Sequence, residues 1–246
     1  METRQPPRYY PAVSLLVYAL GALLGLVFLG AATWADIEGA LFNPTLPADK
    51  TLSSIKCPLF INYSEVGEVK VTLGNPTDKV LRRAVRVHIS AGFVTLFREA
   101  RSQVVIEPGE KQQLSWPITA YDAAWERFVL ARVYLHSNYP LPSEHASCGV
   151  LVVDLFNLPS SLVVVLAVAG SLLGMGIGLR LWSSLRKPLR GRRRQAAFAM
   201  GGVAAMLLAG VLASLAGSWP AGGFFLLVSV LLIAVVVAYF IQTSGK

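Results

Sequence analysis

Residues 9–35 read YYPAVSLLVYALGALLGLVFLGAATWA, with no charged side chain between Arg8 and Asp36. Crossing the hydrocarbon core of a bilayer takes about 20 apolar residues, so this run is long enough to span one. A second uncharged run, LFNLPSSLVVVLAVAGSLLGMGIGL, lies between Asp154 and Arg180. A third extends from Gln195 to Gly245 and is broken by GSWPAGG at Gly217–Gly223. That run is about twice the necessary length, and its Gly/Pro-rich break marks a tight turn between two helices. The chain therefore predicts four membrane spans, at 12–34, 158–180, 196–217 and 221–242. Tyr9, Tyr10, Trp34, Trp182, Trp219 and Tyr239 fall at their predicted ends, where amphipathic aromatics prefer to sit.

Composition agrees with this: 54% of residues are hydrophobic and 15% charged, outside the usual soluble range. The net charge of +8 is concentrated in one place. Residues 36–154 hold twelve Lys/Arg against thirteen Asp/Glu, whereas residues 180–194 hold seven basic residues and no acid. A nucleic-acid-binding domain is basic on its folded surface; here the largest polar region is close to neutral, so nucleic acid is not an expected partner.

The basic segment, RLWSSLRKPLRGRRRQ at Arg180–Gln195, reads as a topology signal. Lys and Arg in short loops favour the cytoplasmic side. The expected layout is a cytoplasmic tail at 1–11, a domain outside the cytoplasm at 35–157, and a basic cytoplasmic loop at 181–195. A short outer turn at 218–220 and a cytoplasmic C-terminus at 243–246 complete it. Arg186, Lys187, Arg190, Arg192, Arg193 and Arg194 are expected to set this orientation and to meet anionic lipid headgroups at the cytoplasmic face, at about 1 kcal/mol per residue near the surface. The first span is read as a retained anchor, because its apolar core exceeds the 7–15 residues of a signal-peptide core. Cleavage after AATWA is the alternative.

Between spans one and two, strand signals dominate. Val69–Leu73 and Val85–Ile89 alternate apolar and polar residues, as do Leu114, Trp116 and Ile118 with their neighbours. Phe128–Leu135 and Gly149–Val153 are more uniformly apolar. Turn sequences at Gly74–Asp78, Glu107–Glu110 and Tyr139–Pro142 separate them. Short strands at this spacing predict an immunoglobulin-like antiparallel β-sandwich, and Pro117 places its strand at a sheet edge. The fold class is then an α+β membrane protein: four transmembrane helices with the sandwich inserted between helices 1 and 2. The segment VVIEPGEKQQLSW (Val104–Trp116) resembles the strand–turn–strand of many fibronectin- or immunoglobulin-like modules. The overall layout resembles that of claudin-type four-span proteins, whose closely spaced extracellular cysteine pair is missing here; nothing is carried over from that family.

Cys57 and Cys148 are the only cysteines. Both fall in the exported domain, near its first and last strands, and an oxidising compartment permits a disulfide between them. Gly170, Gly174 and Gly178 recur every four residues in span two, as do Gly21 and Gly25 in span one, with Gly201, Gly202, Ala205, Ala209 and Ala213 in span three. Small residues so spaced let helix backbones approach closely in lipid. No hydrolase, phosphate-loop or zinc-protease motif is present. The histidines His88, His136 and His145 do not form a ligand set, so no metal or cofactor is expected. Arg82, Arg83 and Arg86 form a small basic cluster, and Asn62-Tyr63-Ser64 matches a glycosylation sequon.

No Asp, Glu, Lys, Arg or His lies in any predicted span core, which weighs against proton or ion pumping. The expected function is a non-enzymatic membrane protein that offers its outer domain for protein–protein contact, as an accessory or scaffold subunit. Its partners would be other membrane subunits or a second copy. A channel or transporter component with the outer domain as gate or receptor is the alternative.

Overall fold

The computed structural model describes residues 10–43, 48–52, 54–139, 141–155, 158–185 and 191–244. It is an α+β chain that divides into two compact units, one made of residues 1–31 and 164–246, the other of residues 32–163.

The first unit is helical. It contains most of α1 (Tyr10–Leu41) and α2 (Ser160–Leu185), and all of α3 (Arg192–Leu215) and α4 (Trp219–Ser244). All four helices are long and apolar enough to cross a membrane. Their contacts are made through small residues. A Cβ on Gly21 would lie 2.6 Å from the Met175 nitrogen, and one on Gly174 would lie 2.9 Å from Gly21 Cα. Gly178 is similarly close to the Tyr18 main chain, while Gly25 faces the Ser171 hydroxyl and Gly170 lies against Leu24. A Cβ at Gly201 or Gly202 would meet open space, so neither makes a close contact within the chain. Tyr18 reaches across to α3, its hydroxyl donating to the Met200 carbonyl at 2.6 Å. Trp182, in the last turn of α2, is buried in the helix cluster with Tyr18, Met175 and Met200.

The GSWPAGG break works through its ends. Gly217 adopts φ +75°, the left-handed conformation that closes helix C-termini, and the Ser218 N–H donates to the Ala213 carbonyl. Pro220 then occupies the first turn of α4, where its missing N–H is no loss. The helix accordingly begins at Trp219, two residues before the predicted 221.

Among the described residues, the second unit holds nine strands in two sheets. The larger follows the order β1 (Lys50–Thr51), β9 (Glu144–Val152), β8 (Phe128–Leu135), β5 (Leu81–Ala91), β6 (Phe93–Ile106), with β3 (Phe60–Ile61) also on β9. The smaller is β2 (Ile55–Lys56), β4 (Val66–Gly74), β7 (Lys111–Thr119). Alternation aims Val69, Val71 and Leu73 of β4, Val85, Val87 and Ile89 of β5, and Trp116 and Ile118 of β7 into one shared core. β7 lies at a sheet edge, which accommodates Pro117. The sandwich is not wholly antiparallel: β1 and β3 both pair with β9 in parallel.

Two boundaries differ from expectation. The first helix does not stop at Trp34 but continues to Leu41, because small residues let it lie against β9. A Cβ on Gly149 would overlap the Ala35 main chain, and one on Gly39 would overlap that of Cys148. The last strand starts at Glu144 rather than Gly149, so Cys148 lies within it. Cys57, just after β2, is disulfide-bonded to Cys148 with Cα atoms 6.5 Å apart, linking the two sheets.

Two outcomes follow from this packing. Gly174→Val is expected to destabilise the full-length protein in mild detergent by about 1–3 kcal/mol through overpacking, while Gly202→Ala leaves the thermal midpoint unchanged or slightly raised. Replacing Cys57 and Cys148 with Ser is expected to remove roughly 4 kcal/mol, and alkylation of the unreduced native protein should label neither cysteine.

Candidate functional site

Alternation on β5 sends Arg86 and His88 to the outer face of the larger sheet, opposite the core-facing Val85 and Val87. Across the β5–β6 ladder, Arg86 pairs with Arg101 and His88 with Glu99. The Glu99 carboxylate is shared: it accepts from Arg101 Nε at 2.7 Å and lies 3.0 Å from Arg86 Nε. His88 Nε2 is 3.9 Å from the same oxygen. The His88 ring stacks on Phe97 with centroids 4.4 Å apart, and its Nδ1 lies 2.7 Å from the Asn43 side-chain amide. His88 is therefore buried, beside Asn43 at the start of the connection that follows α1. Arg132, also buried on this face, donates to the Phe42 carbonyl at 3.2 Å. Among the described residues no carboxylate pairs with it.

These environments move the titrations. Burial is the largest influence on His88 and lowers its pKa. Glu99 opposes this, and Arg86, Arg132 and Arg101 reinforce it. Burial, then Arg132, lowers His145. Glu99 is lowered, chiefly by its hydrogen bond from Arg101. The layer carries three guanidinium groups and one carboxylate, and beside it Ala84, Arg86, Arg101, Ser102, Gln103 and His136 line an open depression of about 260 Å³. Such a surface suits an anionic group on a partner. Among the described residues no hydrogen bond joins the Ser102 hydroxyl to the His136 ring, both of which line the depression.

The Arg82–Arg83–Arg86 cluster does not exist as one surface. Arg83 points inward at the end of the sandwich, donating to the carbonyls of His136 and Pro142 at 3.1 and 2.7 Å, and lies 3.6 Å from Glu144. It holds the β8–β9 connection in place. Asn62 is likewise internal: its amide nitrogen donates to the Leu158 carbonyl and its oxygen accepts from Ser64, so the sequon presents no accessible amide. His136 packs edge-on against Tyr134, and among the described residues no three His, Cys, Asp or Glu side chains converge.

Of the basic segment, Arg186, Lys187 and Arg190 lie outside the described residues. Arg192, Arg193 and Arg194 occupy the first turn of α3, with the Arg194 guanidinium 5.3 Å from the Phe198 ring. Sequence reasoning missed Asn43, Glu99, Arg101 and Arg132. The first three contribute through the pairing of β6 with β5 and the path of the α1 connection, which no local pattern announces. The one available signal for Arg132 was an arginine inside the otherwise apolar FVLARVYL.

No protein-family model matches the chain, and no curated protein matches its sequence. Among solved structures, the CARDB domain of a Pyrococcus furiosus protein, determined with di-metal ions, is 18% identical. That match covers 41% of this chain and 90% of the other, at TM-score 0.32. A β-glucosidase from Listeria innocua is 18% identical over 41% of this chain and 15% of its own, at TM-score 0.30. A Paenibacillus cycloisomaltooligosaccharide glucanotransferase is 11% identical over 45% of this chain and 15% of its own, at TM-score 0.33. Likenesses this weak assign neither a fold family nor an activity.

The histidines give a pH dependence whose sign is fixed. The unfolded chain takes up these protons near the ordinary value of 6.5, the folded chain only at lower pH. Stability is thus fully present above that value and is lost as pH falls below it, by at most about 1.4 kcal/mol per pH unit for each group. The thermal midpoint of the full-length protein in nanodiscs should fall between about pH 7 and pH 5.5, and His88→Gln should flatten that fall. Glu99, Glu65 and Asp49 are all lowered and act in a separate, more acidic window, below the ordinary carboxylate values of 4.5 and 3.8.

Proposed function

We propose that this chain is a non-enzymatic integral membrane protein whose outward immunoglobulin-like β-domain docks a protein partner. It acts as an accessory or scaffold subunit of a larger membrane assembly. The four apolar helices anchor it, the termini and the basic 181–195 loop face the cytoplasm, and residues 35–157 face outward. The partner is another membrane subunit or a second copy of this chain, and anionic headgroups meet the cytoplasmic arginines.

The observation that carries the reading is strand β6. It is fourteen residues long and forms an edge of the larger sheet; it is exposed on both faces over Thr95–Glu99 and on its outer face from there to Val105. A long edge strand offers a row of unpaired backbone groups to another chain, and proteins that do not use such edges shorten, bend or block them. Here the edge carries Phe97 and Val105 as exposed apolar residues, and the cationic depression lies beside it. Strand addition with side-chain pockets alongside is an established mode of recognition.

A photo-crosslinking residue at Gln103 or Val105, activated in native membranes, is expected to give one discrete adduct, whereas the same residue at exposed Lys79 gives none. Val105→Lys, which blocks strand addition by charge, should reduce adduct formation from Gln103 several-fold. A protein that remains a monomer in mild detergent and gives no adduct from either strand position would overturn the proposal.

A further inference from the structure

We propose that the end of the β-domain from which the chain leaves for α2 rests on the bilayer, with Tyr63, Phe93, Leu96, Tyr121 and Trp125 set into the lipid interface. The inference rests on the reading that α2 crosses that bilayer.

Four stretches of chain meet at this end, all within residues 32–163. The Asn62–Glu65 loop is tied to the start of α2: the Asn62 side chain donates to the Leu158 carbonyl at 2.9 Å, and the Ser160 N–H donates to a Glu65 carboxylate oxygen at 2.9 Å. Between these two anchors sits Tyr63, whose ring meets Tyr121 edge-on at 6.3 Å. Tyr121 is held outward by its neighbour. Asp122 accepts from the Thr119 N–H at 2.8 Å and from Arg98 Nε at 2.9 Å, and its carbonyl accepts from the Ser90 hydroxyl at 2.7 Å. Next comes a tight turn in which Trp125 and Glu126 have φ of +52° and +57°, and the Trp125 N–H donates to the Gly92 carbonyl at the β5–β6 tip. Phe93 and Leu96 flank that tip.

The exposures decide the matter. Tyr121 is 80% exposed, Phe93 60%, Leu96 55%, Trp125 52% and Tyr63 45%, although the surrounding backbone is firmly hydrogen-bonded. A bulky residue in the left-handed region is a genuine outlier, and such strain persists only where the surroundings over-determine it. Turning an indole into water brings nothing that offsets that strain, whereas Trp and Tyr are favoured at the membrane–water boundary. The position fits, because the uncharged run of α2 begins at Ser160, bonded to the same loop. At the opposite end of β8 and β9, Tyr139 is the one exposed large aromatic among the described residues.

The test uses the full-length protein in nanodiscs containing lipids brominated either near the headgroup or near the chain end. The Trp125 signal is taken as the difference between wild type and Trp125→Phe, since four other tryptophans contribute. The expected result is loss of most of that signal with the shallow bromolipid, less with the deep one, and little with aqueous iodide. A nitroxide on Tyr121→Cys provides a second reading and should collide more with oxygen than with a water-soluble nickel chelate. Quenching by iodide without quenching by bromolipid overturns the proposal. Shielding from both quenchers also overturns it, because it would mean a protein covers the tip. Alkaline carbonate extraction separates the two levels. A chain that washes out of the membrane defeats the spanning reading itself, whereas a retained chain with a water-exposed Trp125 defeats only this inference.

Discussion

Close approach of main chains at glycine is the constraint on which both units depend. Along α1 it occurs twice. In the helical unit Gly21 admits the backbone of α2 at Gly174 and Met175; in the β-unit Gly39 and Ala35 admit the backbone of β9 at Cys148 and Gly149. The physical reason differs between the two. Lipid offers little hydrophobic drive for helices to associate, so contact area gained by removing side chains is what holds them together. Beside the sandwich, the same closeness seats a helix on the outer face of a sheet and lets Phe42 join Ala124 and Leu130 in a small buried cluster. The disulfide then fastens the strand that α1 presses on, because Cys148 adjoins Gly149 and bonds across to the second sheet.

That arrangement explains an otherwise odd polar layer. Strand alternation obliges β5 and β8 to point every second residue away from the core, and these positions hold Arg86, His88 and Arg132. Left in water they would be ordinary surface charges. The end of α1 covers part of them, so His88 must find Asn43 and Phe97, and Arg132 must find the Phe42 carbonyl. A buried guanidinium that has a single carbonyl partner among the described residues is an expensive choice for stability alone. It also leaves a positive field beside the Arg86–Glu99–Arg101 group.

Much of the architecture was legible because its signals are local. Uncharged runs of helix length, the GSWPAGG break and the period-two alternation of β4, β5 and β7 each lie within a dozen or so residues. What was illegible depends on pairing at a distance. FREARSQ in β6 has a charged, irregular pattern and becomes strand because β5 lies beside it. Arg83 looked like part of an exposed cluster, but counting by twos from Val85 and Val87 puts it inside, where the carbonyls of His136 and Pro142 wait. The extension of α1 to Leu41 was hidden for a similar reason. Asp36 and Glu38 end the apolar run, whereas the helix ends where its contact with β9 ends.

The basic segment shows a local rule broken in favour of a larger one. Helix N-termini carry partial positive charge and disfavour nearby cations by about 0.3–1 kcal/mol each. The first turn of α3 holds Arg192, Arg193 and Arg194 with no acidic residue, and Gly191 provides no side-chain cap. The Phe198 ring near Arg194 is a weak compensation at an exposed site. Under the proposed orientation the missing partner is the membrane itself. Anionic headgroups attract each basic residue near the surface by about 1 kcal/mol, enough to balance the helix-end repulsion. The same three side chains that would weaken α3 in a soluble protein would then hold its end at the cytoplasmic surface.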